Sequence, residues 1–239
     1  MTASAERDAT DLASVVADIV EPIFAPIEAL AARVRECGPG HARMREDDLA
    51  PAAAMVRSTL AKQPLYAGFG FIADVGAVEG SDHFMLWWQM RGSGAARLRL
   101  TLDPSHPDHY DYLVMPWFTA ARDERRRVVH GPYVDFSGSD LFTLTMTMPV
   151  YEGDRFLGIT GADLHYLDLE RQLVRVLRSA PGDACVINDE GRVIATNTAC
   201  WVVSSRLRQP VEVGVGGVTG LAPVPGGYAW SVVTGAISA

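Results

Sequence analysis

The chain has 239 residues, of which 48% are hydrophobic and 21% are charged, and its formal net charge is −8. These values exclude wholesale disorder, and the length fits one full domain or one domain with a smaller module. The negative charge argues against nucleic acid or an anionic membrane surface as a partner. No apolar run approaches the roughly 20 residues that span a bilayer, and the N-terminal sequence lacks the pattern of a secretory signal. We therefore expect a cytoplasmic protein.

The sequence contains no pattern typical of a metal centre, a disulfide framework or an active site. Cys37, Cys185 and Cys200 form no CxxC pair, and they fit a reducing compartment. His106 and His109 are three residues apart, but no further ligand completes a metal set. P-loop, HExxH and Gly-x-Ser-x-Gly motifs are all missing. We therefore expect no cofactor, no metal and no enzymatic activity.

A periodic apolar pattern over residues 12–34 predicts a long N-terminal helix. Apolar residues recur there at three- and four-residue steps, which places them on one face. Pro22 and Pro26 lie inside the pattern, so we expect a kinked helix or two pieces. The apolar face packs either on the protein's own sheet, which we favour, or on a second copy of the chain. The second alternative predicts a homodimer through residues 10–36.

The following segment predicts a second helix over residues 47–62 and then an antiparallel sheet. Strands are expected at residues 67–75, 83–90 and 97–102. Trp87 and Trp88 are adjacent in the middle strand, so their side chains must point to opposite faces of the sheet. One of the two therefore faces the core or a pocket.

Residues 110–163 carry most of the candidate binding side chains. The pattern predicts an aromatic loop, a short helix over residues 116–126, a corner at residues 131–135 and a hairpin over residues 141–163. Aromatic rings and carboxylates that converge beside a sheet indicate a small pocket, with a cation as one candidate ligand. These side chains are Tyr110, Tyr112, Trp117, Phe118, Tyr133, Asp135 and Asp163.

Two features of the hairpin each allow two interpretations. Thr143, Thr145 and Thr147 alternate with apolar residues, so they face either solvent or the floor of the pocket, and neither alternative is favoured. Asp163 ends the second strand just before a predicted helix. It is therefore either the N-cap of that helix or an acid that binds the ligand, and residue type alone favours the N-cap.

The last part of the chain predicts a small second module. A two-stranded hairpin is indicated at residues 184–197, and residues 228–234 predict a closing strand. This tail is too short to bury a core of its own. We therefore expect it to dock onto the first part of the chain or onto a partner.

The order of these elements and several motifs resemble the Cache sensor domain, also called the PDC domain, in its double-Cache form with a shortened second module. The resemblance covers most of residues 8–180. It rests on the spacing from Tyr110 to Trp117, on the Gly-Pro-Tyr-Val-Asp motif at residues 131–135 and on the Gly-Ile-Thr-Gly-Ala-Asp-Leu motif at residues 158–164.

The resemblance implies an α+β fold and a bacterial signalling protein. It implies a PAS-like curved antiparallel sheet, preceded by long N-terminal helices and followed by a small second α/β module. The expected divisions are a helical region at residues 1–64, a ligand-binding Cache module at residues 65–180 and the second module at residues 181–239.

In the amino-acid-binding branch of this family, the ligand motif combines aromatic residues, an arginine and an acid. Met115 stands at the arginine position, and methionine cannot hold a carboxylate with a bidentate fork. The resemblance therefore implies a site for the amine half of such a ligand, closed from the neighbouring strand by Trp87 or Trp88. The other matching or adjoining positions are Tyr110, Trp117, Phe118, Tyr133, Asp135 and Asp163.

We therefore expect a sensor for a small amine or quaternary ammonium compound. Its signal would pass through a still unidentified partner protein or through the geometry of a dimer. The alternative is a ligand-blind dimerisation or interaction module whose pocket has decayed, because the arginine is replaced by Met115. No nucleic acid or membrane is expected as a partner.

Overall fold

The computed structural model describes residues 2–38, 43–92, 94–135, 142–207 and 211–236. Within those ranges, no helix combines the length and the apolar surface that a membrane span requires. The predicted strand start at Leu141 lies outside the described residues.

The chain divides into two compact units. The six-stranded unit comprises Phe24–His130 and Val134–His165, and the four-stranded unit comprises Met1–Ile23, Gly131–Tyr133 and Tyr166–Ala239. The domain boundaries expected after residues 64 and 180 stay a prediction.

The N-terminal helix α1 runs without interruption over Thr2–Cys37. The expectation of two pieces is therefore wrong. Val16, Val20 and Leu30 are fully buried within the protein itself, so the apolar face packs on its own chain, as favoured above. Burying one such side chain contributes about 1.5–3 kcal/mol. The burial of several such side chains along the helix contributes more than the roughly 3 kcal/mol that an internal proline costs.

The six-stranded sheet has the strand order β3-β2-β1-β6-β5-β4. Helix α2 (Ala50–Leu60) precedes it, and helix α3 (Pro116–Glu124) lies between β3 and β4 in sequence. A 3₁₀ turn at Glu46–Leu49 leads into α2, close to the predicted start. The strands are β1 (Tyr66–Ala73), β2 (Met85–Arg91), β3 (Gly94–Arg97), β4 (Val128–Val134), β5 (Phe142–Glu152) and β6 (Arg155–His165).

Two predicted elements of this unit are wrong. The third strand does not cover residues 97–102, because its pairing with β2 starts already at Gly94, opposite Arg91, and ends at Arg97. Leu98, Leu100 and Leu102 instead pack on the apolar cluster of the unit as partly buried side chains. The predicted corner at residues 131–135 is also wrong, because its first four residues continue strand β4.

The four-stranded sheet has the order β8-β7-β10-β9. Helix α4 (Tyr166–Leu177) precedes β7 (Ala184–Ile187) and β8 (Val193–Thr196), followed by β9 (Val218–Pro223) and β10 (Ser231–Gly235). The hydroxyl of Tyr166 donates a 2.6 Å hydrogen bond to the carbonyl of Ile194, which ties α4 to this sheet. The sequence predicted the hairpin and the closing strand but missed β9, whose glycine and proline residues weaken the strand pattern.

Candidate functional site

One face of the six-stranded sheet carries the candidate site. Residues directly opposite each other in an antiparallel pair point to the same face. Asp163 of β6 lies opposite Thr145 of β5 and opposite Gly68 of β1, and Gly68 lies opposite Gln89 of β2. Trp87 precedes Gln89 by two residues and therefore shares this face. The four strands thus place Gln89, Gly68, Asp163 and Thr145 in one row.

Asp163 is the buried acid of this row, with only 8% of its surface exposed. The hydroxyl of Thr145 donates a 2.8 Å hydrogen bond to its Oδ1. Burial is the main reason why the pKa of Asp163 rises from 3.8 to about 7. The hydrogen bond from Thr145 lowers this pKa, the negative charge of Asp135 raises it, and a hydrogen bond from Trp87 lowers it. The charged neighbour that acts on Asp163 is therefore another carboxylate.

The N-cap interpretation of Asp163 is wrong. Strand β6 continues to His165, and helix α4 begins only at Tyr166, so the Asp163 side chain belongs to a strand. His165 pairs with Thr143, and its backbone N–H donates to the carbonyl of Leu65. This pairing holds the end of the strand in the sheet and places the carboxyl on the site face.

Gly68 leaves the space in which the carboxyl of Asp163 and the indole of Trp87 lie close together. A Cβ atom on Gly68 would lie 2.6 Å from Nε1 of Trp87 and 3.1 Å from Oδ2 of Asp163. Both distances are too short for an ordinary contact. The missing side chain therefore lets the indole and the carboxyl approach each other over the backbone of β1.

The three threonines of β5 are buried, so the interpretation that they face solvent is wrong. Thr143 donates to the carbonyl of Leu164 at 2.8 Å, and Thr147 donates to the carbonyl of Trp117 at 2.9 Å. Helix α3 packs on β5 and β6 and covers them from solvent. Of the three hydroxyls, the one on Thr145 reaches an ionisable side chain, because it lies opposite Asp163 in the register.

Tyr110 lies close to both acids of the site. Burial raises the pKa of its phenol, and the negative charges of Asp135 and Asp163 raise it further. Tyr110 is partly buried against the apolar cluster that contains Trp87 and Trp117. The structure therefore brings together Tyr110, Asp135, Asp163 and Trp87, four of the residues that the sequence singled out.

Phe118 lies in the core of the unit, where its ring is fully buried. It makes edge-to-face contacts with Tyr112, Trp117 and Phe156, with ring centroids 5.4, 6.3 and 5.6 Å apart. Its neighbours are thus aromatic rings of the protein. Met115, at the start of α3, is partly buried against the same cluster.

Trp88 and Tyr133 lie elsewhere. The guanidinium of Arg57 lies over the ring of Trp88, 5.2 Å from its centroid, so Trp88 faces α2 on the opposite side of the sheet. Trp87 is therefore the tryptophan that faces Asp163. Tyr133 is half-buried in β4, in the part of that strand that belongs to the four-stranded unit.

The sequence did not single out Gln89 and Gly68. The alternation of β2 does place Gln89 two residues after Trp87, but the importance of that position depends on the register with β1. Within the described ranges, no group of three or more His, Cys, Asp and Glu side chains could hold a metal ion.

Residues 53–171 match the family model described as the first PDC sensor domain of methyl-accepting chemotaxis protein-like proteins. The ligand-binding domain of the Pseudomonas aeruginosa PAO1 amino acid chemoreceptor PctC, in complex with GABA, has a TM-score of 0.58 at 20% identity, over 93% of this chain and 94% of that one. The ligand-binding domain of Pseudomonas fluorescens chemoreceptor CtaA, in complex with L-valine, has a TM-score of 0.63 at 14% identity, over 98% and 96%.

The extracellular domain of the putative histidine kinase soHK1S-Z6 has a TM-score of 0.63 at 18% identity, over 97% of this chain and 91% of that one. At these identities the likeness shows the fold, and it confirms the predicted α+β architecture with a long N-terminal helix. No curated protein matches the sequence.

Proposed function

Since residues 53–171 form a PDC (Cache) sensor domain, we propose that this chain binds a small amine or quaternary ammonium compound on the face that carries Asp163. One observation carries the proposal: the carboxyl of Asp163 is buried, and the charged group that acts on it is the second carboxylate, Asp135. A buried acid that lies beside a second negative charge favours a cationic ligand. Such a ligand would place a positive charge beside the carboxyl of Asp163.

The neutral groups around Asp163 suit an ammonium ion. A carboxylate forms charge-assisted hydrogen bonds with an amine, and a desolvated cation against an aromatic face contributes about 2 kcal/mol. Trp87 supplies an indole beside the acid, and Tyr110 a phenol close to both acids.

The ligands of the compared chemoreceptor domains are amino acids, and Met115 is the reason to propose only their amine part for this chain. GABA and L-valine, the ligands in the PctC and CtaA structures, each carry an amine and a carboxylate. Met115 leaves this chain without the arginine that the family resemblance assigns to the carboxylate. The proposed ligand therefore keeps the amine and lacks the carboxylate. The signalling partner, the dimer and the compartment stay predictions.

A thermal-shift panel tests the proposal. Amines (n-butylamine, choline), amino acids (L-valine, GABA) and butyrate are added to the wild type, to Asp163→Asn and to the control Asp154→Asn, whose side chain is fully exposed in a turn. A ligand at a hundred times its Kd stabilises by about 2.7 kcal/mol, which corresponds to about 5–10 °C for a chain of this size. We expect amines to stabilise the wild type and Asp154→Asn but not Asp163→Asn.

Other results lead to different conclusions. Stabilisation by butyrate alone contradicts the amine site and the role given to Met115. An absence of any shift supports the ligand-blind interaction module instead. Because Asn keeps the shape of Asp and can accept from Thr145, a loss of binding in Asp163→Asn reports on charge rather than on misfolding.

A further inference from the structure

The four-stranded unit contains a cavity of about 440 Å³ that the proposed function does not use. All ten described residues that line it belong to this unit. They come from the start of α1, from the loop between α4 and β7, and from the ends of β9 and β10. None of the ten is basic or aromatic, and two of them, Asp8 and Asp183, are acids. The cavity is separate from the face that carries Asp163, which belongs to the six-stranded unit.

Thr234 of β10 lines this cavity with a hydroxyl that has no protein partner. The residue is 6% exposed, and its Oγ1 is among the buried side-chain atoms that make no hydrogen bond within the described ranges. Leaving such a group unpaired is costly, and native proteins nearly always pair it with protein, water or ligand. The hydroxyl is therefore an observation, independent of the two acids, that points to a polar occupant.

The pairing of β10 determines where this hydroxyl points. Thr234 lies opposite Gly220 of β9, and a Cβ on Gly220 would lie 2.5 Å from Oγ1 of Thr234 and 2.4 Å from the carbonyl oxygen of Ala5. Oγ1 therefore faces the start of α1, which lines the cavity. The N–H of the next residue, Gly235, donates a 3.0 Å hydrogen bond to the carbonyl of Asp183. The two segments that carry the acids thus both lie next to Thr234.

We propose that this cavity is a second binding site and that it takes a small guanidinium compound with a short apolar chain. The carboxylates of Asp8 and Asp183 and the hydroxyl of Thr234 all accept hydrogen bonds. A guanidinium holds its donors in a planar fork that pairs with a carboxylate through two hydrogen bonds, whereas an ammonium is a compact point charge. Ala180 and Pro181 of the lining suit an alkyl chain.

Titration calorimetry with n-butylguanidinium and n-butylamine tests this site. Asp163→Asn serves as the parent protein, so that the proposed amine site does not contribute. We expect n-butylguanidinium to bind the parent about tenfold tighter than n-butylamine, which is the size of one good hydrogen bond. Adding Asp183→Asn or Thr234→Val to the parent should weaken its binding about tenfold. The matched controls are Asp168→Asn and Thr196→Val, which lie in the same unit outside the cavity and should leave the Kd unchanged.

The thermal stability of the two threonine variants separates binding from misfolding. Thr234→Val replaces a hydroxyl that has no protein partner, so we expect its Tm to equal or exceed that of the parent. Thr196→Val should lower the Tm, because Thr196 donates to the carbonyl of Ala184 and accepts from the N–H of Thr198. A variant that is at least as stable as the parent and yet binds more weakly has lost a ligand contact.

Three results overturn this inference. The first is that n-butylguanidinium does not bind the parent, which leaves water as the partner of the Thr234 hydroxyl. The second is that the two probes bind with equal affinity, and the third is a Kd that neither Asp183→Asn nor Thr234→Val changes. Each of them leaves the amine site standing, since that site is tested by comparing the wild type with Asp163→Asn.

Discussion

The hydroxyl of Thr145 donates a hydrogen bond to Oδ1 of Asp163 across the β5–β6 pair, at 2.8 Å. The buried carboxyl therefore accepts a hydrogen bond from a neutral group, whereas an ion pair would place a positive charge beside it. Asp163 therefore changes its protonation close to neutral pH, since burial raises its pKa to about 7. The first three predictions follow from this contact.

The stability of the wild type depends on pH through Asp163. Its pKa is raised from 3.8 to about 7 in the folded protein, so the folded state holds this proton more tightly than the unfolded state. The stability gained from the protonated form is complete below about pH 4 and is lost as the pH rises to about 7. We expect the unfolding free energy of the wild type to fall by a few kcal/mol relative to Asp163→Asn over this range, since one pKa unit corresponds to about 1.4 kcal/mol. Urea denaturation at several pH values measures it; parallel curves for the two proteins would contradict it.

Binding of a quaternary ammonium ion should strengthen as the pH rises through the same range. Choline keeps its charge at every pH, so the pH dependence of its affinity reports on the protein. The ionised carboxyl of Asp163 attracts the cation and the protonated form does not, which predicts about tenfold weaker binding at pH 6 than at pH 8. Titration calorimetry measures this, with Asp163→Asn as the control that binds weakly at both pH values. A Kd that is the same at pH 6 and pH 8 excludes Asp163 as the cation's partner.

Thr145→Val removes a hydroxyl that stabilises the ionised carboxyl. We expect a loss of about 1–3 kcal/mol of stability, because Asp163 loses a buried hydrogen bond. The pKa of Asp163 should also rise further, which moves the pH midpoint of choline binding upwards. Thr143→Val is the matched control, since that hydroxyl donates to the carbonyl of Leu164 and not to the acid. It should cost stability and leave the midpoint unchanged; equal midpoint shifts in both variants would refute the assignment.

Gly68→Ala should block the site with one methyl group. The new Cβ would lie 2.6 Å from Nε1 of Trp87 and 3.1 Å from Oδ2 of Asp163, so one of these groups has to move. We expect a fold that remains intact and an amine affinity that falls at least tenfold, measured by titration and circular dichroism. The control is Gly94→Ala in the same sheet, where a Cβ meets nothing within 4 Å. Unchanged binding in Gly68→Ala would show that the ligand does not use this surface.

Met115→Arg should broaden the ligand range towards amino acids. The family resemblance assigns the carboxylate of an amino acid to an arginine at this position, and a guanidinium binds it through two parallel hydrogen bonds. We expect L-valine or GABA to stabilise the variant more than the wild type in a thermal shift, while n-butylamine loses affinity near the new positive charge. Met115→Lys, which has the charge without the fork, should give a smaller gain. A variant that responds to no amino acid argues against this correspondence.

Some elements could be predicted from the sequence because their signals are local. Strand β5 shows a regular alternation of threonine and apolar residues, which predicts a strand, and its pairing with β6 extends to Glu152 and Arg155 within the predicted hairpin. The start of β3 at Gly94 could not be predicted in this way, since it depends on the register in which β3 pairs with β2. For α1 the sequence left open a kinked helix or two pieces, because proline weakens a helix locally, whereas burial along the whole helix decides its course.

The site was harder to predict than the fold. An acid just before a helix favours an N-cap, and only the pairing of His165 with Thr143 shows that Asp163 still lies in a strand. Phe118 was grouped with the ligand-facing aromatics, but its burial among other rings depends on three-dimensional packing.

The four-stranded unit is assembled from three separate segments of the chain, which has a consequence for its biosynthesis. Every segment of the six-stranded unit has been synthesised once His165 is added, and domains generally begin to fold in the order of synthesis. The first half of α1 belongs to the other unit, whose largest segment starts only at Tyr166, so Val16 and Val20 are synthesised long before most of the unit in which they are buried. A nascent chain therefore carries an uncovered apolar helix face until the later segments of the four-stranded unit are available.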